Sequence, residues 1–140
     1  MNSTLFALAG FAGWALLLTF LLLNMRGYYA FIDSKKIPLN KFSPDGSDVE
    51  GFGTRLTRAH LNCIEMLPMF AALVIVASIS DQLAIMEATA IYILYARIAQ
   101  STIHLISTSL IAVLLRATCW VIQLVLLLSY SYELVMPMFA

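Results

Sequence analysis

The chain has 140 residues with eight basic and eight acidic side chains, so its formal net charge is zero. Hydrophobic residues make up 61% of it and charged residues only 11%, against about 25% charged in a soluble domain, and its mean hydropathy is +0.89. So short a chain cannot hide that much apolar surface from water, its low charge excludes disorder, and the balanced charge gives no basic face for nucleic acid, which leaves a small, single-domain polytopic membrane protein.

The first helix is expected over about residues 4–26. Its centre, Leu5 to Leu23, runs nineteen residues without a charge, which at ~1.5 Å per residue nearly spans a hydrocarbon core of ~30 Å. A signal peptide would begin with positive charge and end in a small-residue cleavage site. Met1-Asn2-Ser3-Thr4 carries no charge and no such site follows, so a retained span is predicted. A polar loop follows over about 27–53, punctuated by Pro38, Pro44, Gly46, Gly51 and Gly53. Tyr28, Tyr29 and Phe31 suit the aromatic belt at a membrane boundary.

The second helix is expected over 54–80. Its first turns are polar, with Arg55, Arg58, His60, Asn62 and Glu65, and its second half is apolar. Pro68 denies the Ile64 carbonyl its helical amide and is expected to bend the helix. The third helix is expected over 82–107 and the fourth over 111–136, joined by links short enough to make neighbours antiparallel. The fold class is therefore an all-α bundle of four transmembrane helices. Lys35, Lys36 and Lys41 lie in the first loop and no Lys or Arg in the second link. The positive-inside rule then puts the large loop in the cytoplasm and both termini outside. No internal repeat of the kind a transporter would carry is visible.

Charged side chains within a span cost at least ~2.5–3.5 kcal/mol each on insertion scales, so Arg58, Glu65, Arg97 and Arg116 need partners or a wet pocket. Arg55, Arg58, Asn62 and Glu65 follow one another by three, four and three residues, which aligns them on one stripe of the second helix. Arg97, Gln100 and His104 form a stripe on the third helix, and Arg116, Trp120 and Gln123 one on the fourth. The economical packing turns these stripes toward one another in the cytoplasmic half. Arg97 and Glu65 are candidates for a buried ion pair between the second and third helices, and Arg55 and Arg58 for boundary anchors. Surplus arginine suits a carboxylate-bearing ligand, because the guanidinium fork matches carboxylate geometry, and Glu65 suits an ammonium. A peptide the size of glutathione, an amino acid and a lipid headgroup all meet that description. Cys63 and Cys119 have no metal-ligand spacing and read as packed thiols.

Arg58-Ala59-His60-Leu61-Asn62-Cys63-Ile64-Glu65-Met66-Leu67-Pro68-Met69-Phe70 resembles the signature of the MAPEG family, the membrane-associated proteins of eicosanoid and glutathione metabolism. Its pattern is Arg-Ala-x-x-Asn-x-x-Glu followed shortly by Pro and Phe, opening the second of four helices. Ala96-Arg97 with His104, and Leu115-Arg116-Ala117-Thr118-Cys119-Trp120, are similar to the family's later motifs. The resemblance implies a homotrimer with glutathione as co-substrate in clefts between subunits, no metal, and a lipophilic electrophile arriving from the membrane lipid.

On that resemblance Arg58, Asn62 and Glu65 correspond to glutathione-holding residues, and Arg97 to the arginine that pairs with the helix-two glutamate. Arg116 corresponds to the catalytic arginine beside the sulfur. Gln100, His104 and Trp120 fall on the same wall, and a basic residue ending the first helix, Arg26 or else Lys35 or Lys36, also contacts glutathione. Leu61, Gln100, His104, Ala117 and Trp120 depart from the prostaglandin- and leukotriene-forming members. The chain resembles instead the short bacterial members, which implies a bacterial inner membrane. Two functions follow as expectations: a glutathione-dependent transferase or peroxidase, or a non-catalytic membrane scaffold binding a lipid or small thiol peptide.

Overall fold

The structure, a computed structural model, describes residues 2–139. Five helices form it: α1 Ser3–Phe31, α2 Phe52–Ile79, the one-turn α3 Ala84–Glu87, α4 Ala90–Ile106 and α5 Leu110–Val135, the last continued by a 3-10 turn over Met136–Phe139. No strand occurs among the described residues. α1, α2 and α5 are long and apolar enough to cross a membrane, and α4 completes a four-helix bundle.

α1 starts where the Asn2 side chain accepts the Thr4 amide at 2.8 Å. α5 starts where the Ser109 hydroxyl accepts the Ala112 amide at 3.3 Å. Such caps satisfy amides that have no partner in the first turn. α1 runs five residues beyond the expected end at 26, through the Tyr28–Tyr29 pair, so the loop is shorter than the composition suggested. Its turn-forming residues begin only after Phe31.

The expected third span, 82–107, is corrected. Residues 82–89 hold one turn of helix and a bend, and only Ala90–Ile106 is continuous helix. The break falls at Thr89, which adopts φ −125°, outside the helical region, and whose hydroxyl bonds the Tyr130 hydroxyl of α5 at 2.7 Å. α2, by contrast, remains a single helix through Pro68.

In lipid, helices gain no hydrophobic advantage by touching one another, so small residues and close packing must hold the bundle. Ala7, Ala15, Ala59, Ala77 and Ala90 are all buried at the helix contacts. α2 buries Leu56, Ala59, Cys63, Met66, Phe70, Val74 and Ala77, steps of three or four that mark one helix face. Phe11 and Phe70 pack with ring centroids 6.1 Å apart. α4 changes character along its buried face, from Ala90, Ile93 and Leu94 to Arg97, Gln100, Ser101 and His104. The bundle interior is thus apolar at one end and polar at the other.

The loop between α1 and α2 is ordered by its own side chains. Asp45 accepts the Ser43 hydroxyl and the Ser47 amide at 3.0 Å, and Asp48 accepts the Ser43 amide at 2.8 Å. Gly46 holds φ +75°, and a Cβ there would lie 2.8 Å from Thr57 Cβ, so the turn docks on α2 only because position 46 has no side chain.

Candidate functional site: a cationic pocket between α2, α4 and α5

The polar end of the bundle opens into a pocket of about 550 Å³, lined by Arg58, Leu61, Asn62, Gln100, His104, Val113, Arg116, Ala117 and Trp120. Volumes of this order hold small-molecule ligands. α2 contributes Arg58, Leu61 and Asn62, one helical turn of a single face. α4 contributes Gln100 and His104, four residues apart at its buried end. α5 contributes Val113, Arg116, Ala117 and Trp120 from its first three turns. Six residues read from the sequence therefore meet here: Arg58, Asn62, Gln100, His104, Arg116 and Trp120.

The wall carries two guanidinium groups and no carboxylate. Arg116 Nε is buried and has no hydrogen-bond partner among the described residues, and Arg58 is exposed. The site therefore presents uncompensated positive charge and free donors, an arrangement that favours an anion. Gln123 stands behind this wall, fully buried, and donates to Gln100 Oε1 at 3.0 Å and to the Cys119 carbonyl at 2.9 Å. No cluster of three or more His, Cys, Asp or Glu able to hold a metal occurs among the described residues.

Three of the expected site residues lie elsewhere. Arg97 is fully buried in the core. Its Nη1 donates to the Asn62 carbonyl at 3.0 Å, and its guanidinium carbon lies 5.2 Å from the Phe11 ring centroid. Arg97 forms no salt bridge among the described residues. Lys35 to Glu50, 3.7 Å and exposed, is the one ion pair among the described residues. The expected Arg97–Glu65 pair is thus corrected: Glu65 follows the stripe of Arg58 and Asn62 out onto the exposed side of α2, while Arg97 points inward to an aromatic ring. Arg26 lies on α1 against Phe42, 5.6 Å from its ring centroid, and does not line the pocket.

Arg55 also has a different task from the one its spacing suggested. Its Nε donates to the Leu105 carbonyl at 2.8 Å and so ties α2 to the last turn of α4, where helical carbonyls lack amide partners. Leu61, Val113 and Ala117 complete the pocket. Leu61 lies one residue from Asn62 on the same turn, and Val113 and Ala117 lie three residues before Arg116 and one after it. Helical spacing around the polar residues was the signal that could have found them. Cys63 is buried and Cys119 half-buried, both as free thiols.

A four-helix membrane bundle whose polar end holds an arginine-lined pocket defines the class: an integral membrane protein with a cationic cavity at one end of its bundle. Comparison with family models gives the rest. The MAPEG family model matches residues 4–136, nearly the whole chain, and the protein belongs to the MAPEG family. Comparisons with curated proteins and with solved structures gave no match.

Proposed function

We propose that the protein is a glutathione-dependent transferase or peroxidase acting on lipophilic electrophiles, and that it works as a homotrimer. The observation that carries this reading is the convergence of Arg58, Asn62, Gln100, His104, Arg116 and Trp120 on one pocket that holds two guanidinium groups and no carboxylate. A glutathione thiol has an ordinary pKa near ~8.5 and reacts as its thiolate. A guanidinium fixed beside the sulfur, in a pocket walled by Leu61, Val113, Ala117 and Trp120, favours that anion and stabilises it through attack. In this reading Arg116 holds the sulfur, while Arg58 and Asn62 hold the peptide's carboxylate end.

Two residues outside the pocket support the trimer. Glu65 is a carboxylate on the exposed side of α2 within the span, and Arg26 sits in α1, five residues before its end at Phe31 and away from the pocket. A carboxylate left facing lipid costs at least ~2.5 kcal/mol, whereas a neighbouring protomer would cover it. The neighbour's Arg26 equivalent is the basic group that such an interface could bring to the ligand. MAPEG membership is consistent with this assembly.

The test is equilibrium binding of glutathione to the purified protein in detergent, read with the ultraviolet absorbance of the thiolate. Binding at millimolar glutathione or below with a rise in thiolate absorbance is expected. Arg116→Ala is expected to abolish the absorbance rise, and Arg58→Ala to weaken binding about tenfold while leaving the rise at saturation. Absence of binding at millimolar glutathione would reject the reading, and the reverse pattern of variants would exchange the two roles. Conjugation of chlorodinitrobenzene separates an enzyme from a binding scaffold, which would give no rate above background.

A further inference from the structure

We infer that Gln123 is a positioning residue that locks Gln100 as a hydrogen-bond donor on the pocket wall, so that the pocket demands an acceptor oxygen, a carboxylate or an amide carbonyl, from its ligand at that point. Gln123 Nε2 lies 2.9 Å from the Cys119 carbonyl, and a main-chain carbonyl can only accept. The end of the Gln123 amide that faces it must be nitrogen, which fixes the orientation of the whole group. The same nitrogen lies 3.0 Å from the Gln100 side chain. Both Gln123 N–H groups are then committed, and Gln100 must offer its oxygen.

The consequence appears at the other end of Gln100. With Oε1 turned to Gln123, Nε2 is left without an acceptor among the described residues. It is absent from the enclosed, unpartnered atoms of the interior, and Gln100 lines the cavity. Its two N–H groups are thus available to a ligand. A freely rotating glutamine could show either face. This one can show only its donor face, because reversing it would set two amide nitrogens against each other.

The arrangement carries a cost that a purely structural residue would not. Gln123 is fully buried in a membrane span, and its Oε1 has no partner among the described residues. A methionine or leucine would fill the space without an orphaned oxygen. The polar pair is therefore explained by what it does to Gln100 rather than by packing. It also extends the electrostatic logic of the site, since Arg58, Arg116 and the Gln100 amide all offer donors. As a statement about a ligand the inference rests on the glutathione reading above; as a statement about orientation it does not.

The experiment has two arms. Nitrogen-15 NMR of the ligand-free protein in detergent reads the two side-chain amides directly. The Gln123 NH2 group is expected to be protected from exchange with water, and the Gln100 NH2 group to exchange at least tenfold faster until Gln123→Met changes its environment. A protected Gln100 amide, or one indifferent to Gln123→Met, overturns the inference whether or not glutathione binds. In the second arm, Gln123→Met and Gln100→Met are each expected to weaken glutathione about tenfold, and the double variant no further, at unchanged melting temperature. Additive losses, or wild-type affinity in Gln123→Met, overturn it. Wild-type protein that binds no glutathione rejects the function while leaving the exchange arm to decide the orientation.

Discussion

Replacing Arg97 by methionine separates two accounts of why a guanidinium sits inside this bundle. If the side chain were half of a buried ion pair with Glu65, removing one partner would cost ~3–5 kcal/mol, because the other charge would be left unpaired. The structure gives it other contacts: one hydrogen bond to the Asn62 carbonyl at 3.0 Å and one aromatic face 5.2 Å away at Phe11. A charge-assisted hydrogen bond contributes ~1.5–3 kcal/mol, and a desolvated cation–π contact ~2 kcal/mol. Against them stands the cost of holding a charge within the span, ~2.5–3.5 kcal/mol, here unrelieved at Nε and Nη2, which have no partner among the described residues. The two sides nearly cancel. Methionine keeps the unbranched bulk, so Arg97→Met is expected to cost only ~1 kcal/mol. Reversible unfolding in mixed micelles by titration with dodecyl sulfate measures it. The decisive number comes from double-mutant cycles. Arg97→Met with Phe11→Leu should couple by ~2 kcal/mol, and Arg97→Met with Glu65→Gln by less than ~0.5 kcal/mol. An Arg97–Glu65 coupling of ~2 kcal/mol or more would refute the argument.

Two further outcomes concern the loop. Gly46→Ala is expected to destabilise the loop's docking by at least ~1–2 kcal/mol, because position 46 combines φ +75° with a Cβ contact of 2.8 Å to Thr57; amide exchange across 43–57 should quicken, and wild-type protection there would contradict the close approach. The Ser43 hydroxyl, then the Ser47 hydroxyl and amide, hold the Asp45 carboxyl down at about 2, below its ordinary 3.8. A depressed carboxyl stabilises the loop fully above its ordinary value, and that contribution fades as pH falls through about 2; an NMR titration should place the midpoint there, and a midpoint at 3.8 or above would show the turn is not formed.

What the sequence disclosed depended on how many residues agreed. An uncharged run of nineteen residues made α1 legible, and apolar stretches of about fifteen residues made α2 and α5 so, because the length of a lipid-crossing helix is dictated by the bilayer. The third span was not legible to the same degree. Gln82 to Thr89 is apolar enough to continue a helix, and the break at Thr89 belongs to a tertiary bond with Tyr130, forty-one residues away. The pocket was legible because spacing of three and four places side chains on one helix face, which is geometry internal to each helix. Arg97 was misjudged for the converse reason. Its own stripe put it with Gln100 and His104 correctly, but whether it met Glu65 depended on the rotation of α2 against α4. Charge complementarity suggested a pair. The rotation actually taken sends Cys63 and Met66 inward and leaves Glu65 out.

That rotation ties the pocket to the core. Arg97 does not line the pocket, yet it grips the main chain of Asn62, which does. Gln123 grips the side chain of Gln100 in the same way from α5. One polar wall residue on α2 and one on α4, Asn62 and Gln100, are thus each held from behind by a buried group reaching from another helix. In water such a group would be screened and replaceable. In a membrane span a polar group that lets go of its partner finds little water to replace it, so these supporting contacts are costly to break. Arg116 on α5 has no such support among the described residues: its Nε is buried and unpartnered. A pocket whose wall is held at Asn62 and Gln100, with its two guanidinium groups left uncommitted, suits an anion, and Arg116 is the cation that the proposed function would set beside the sulfur.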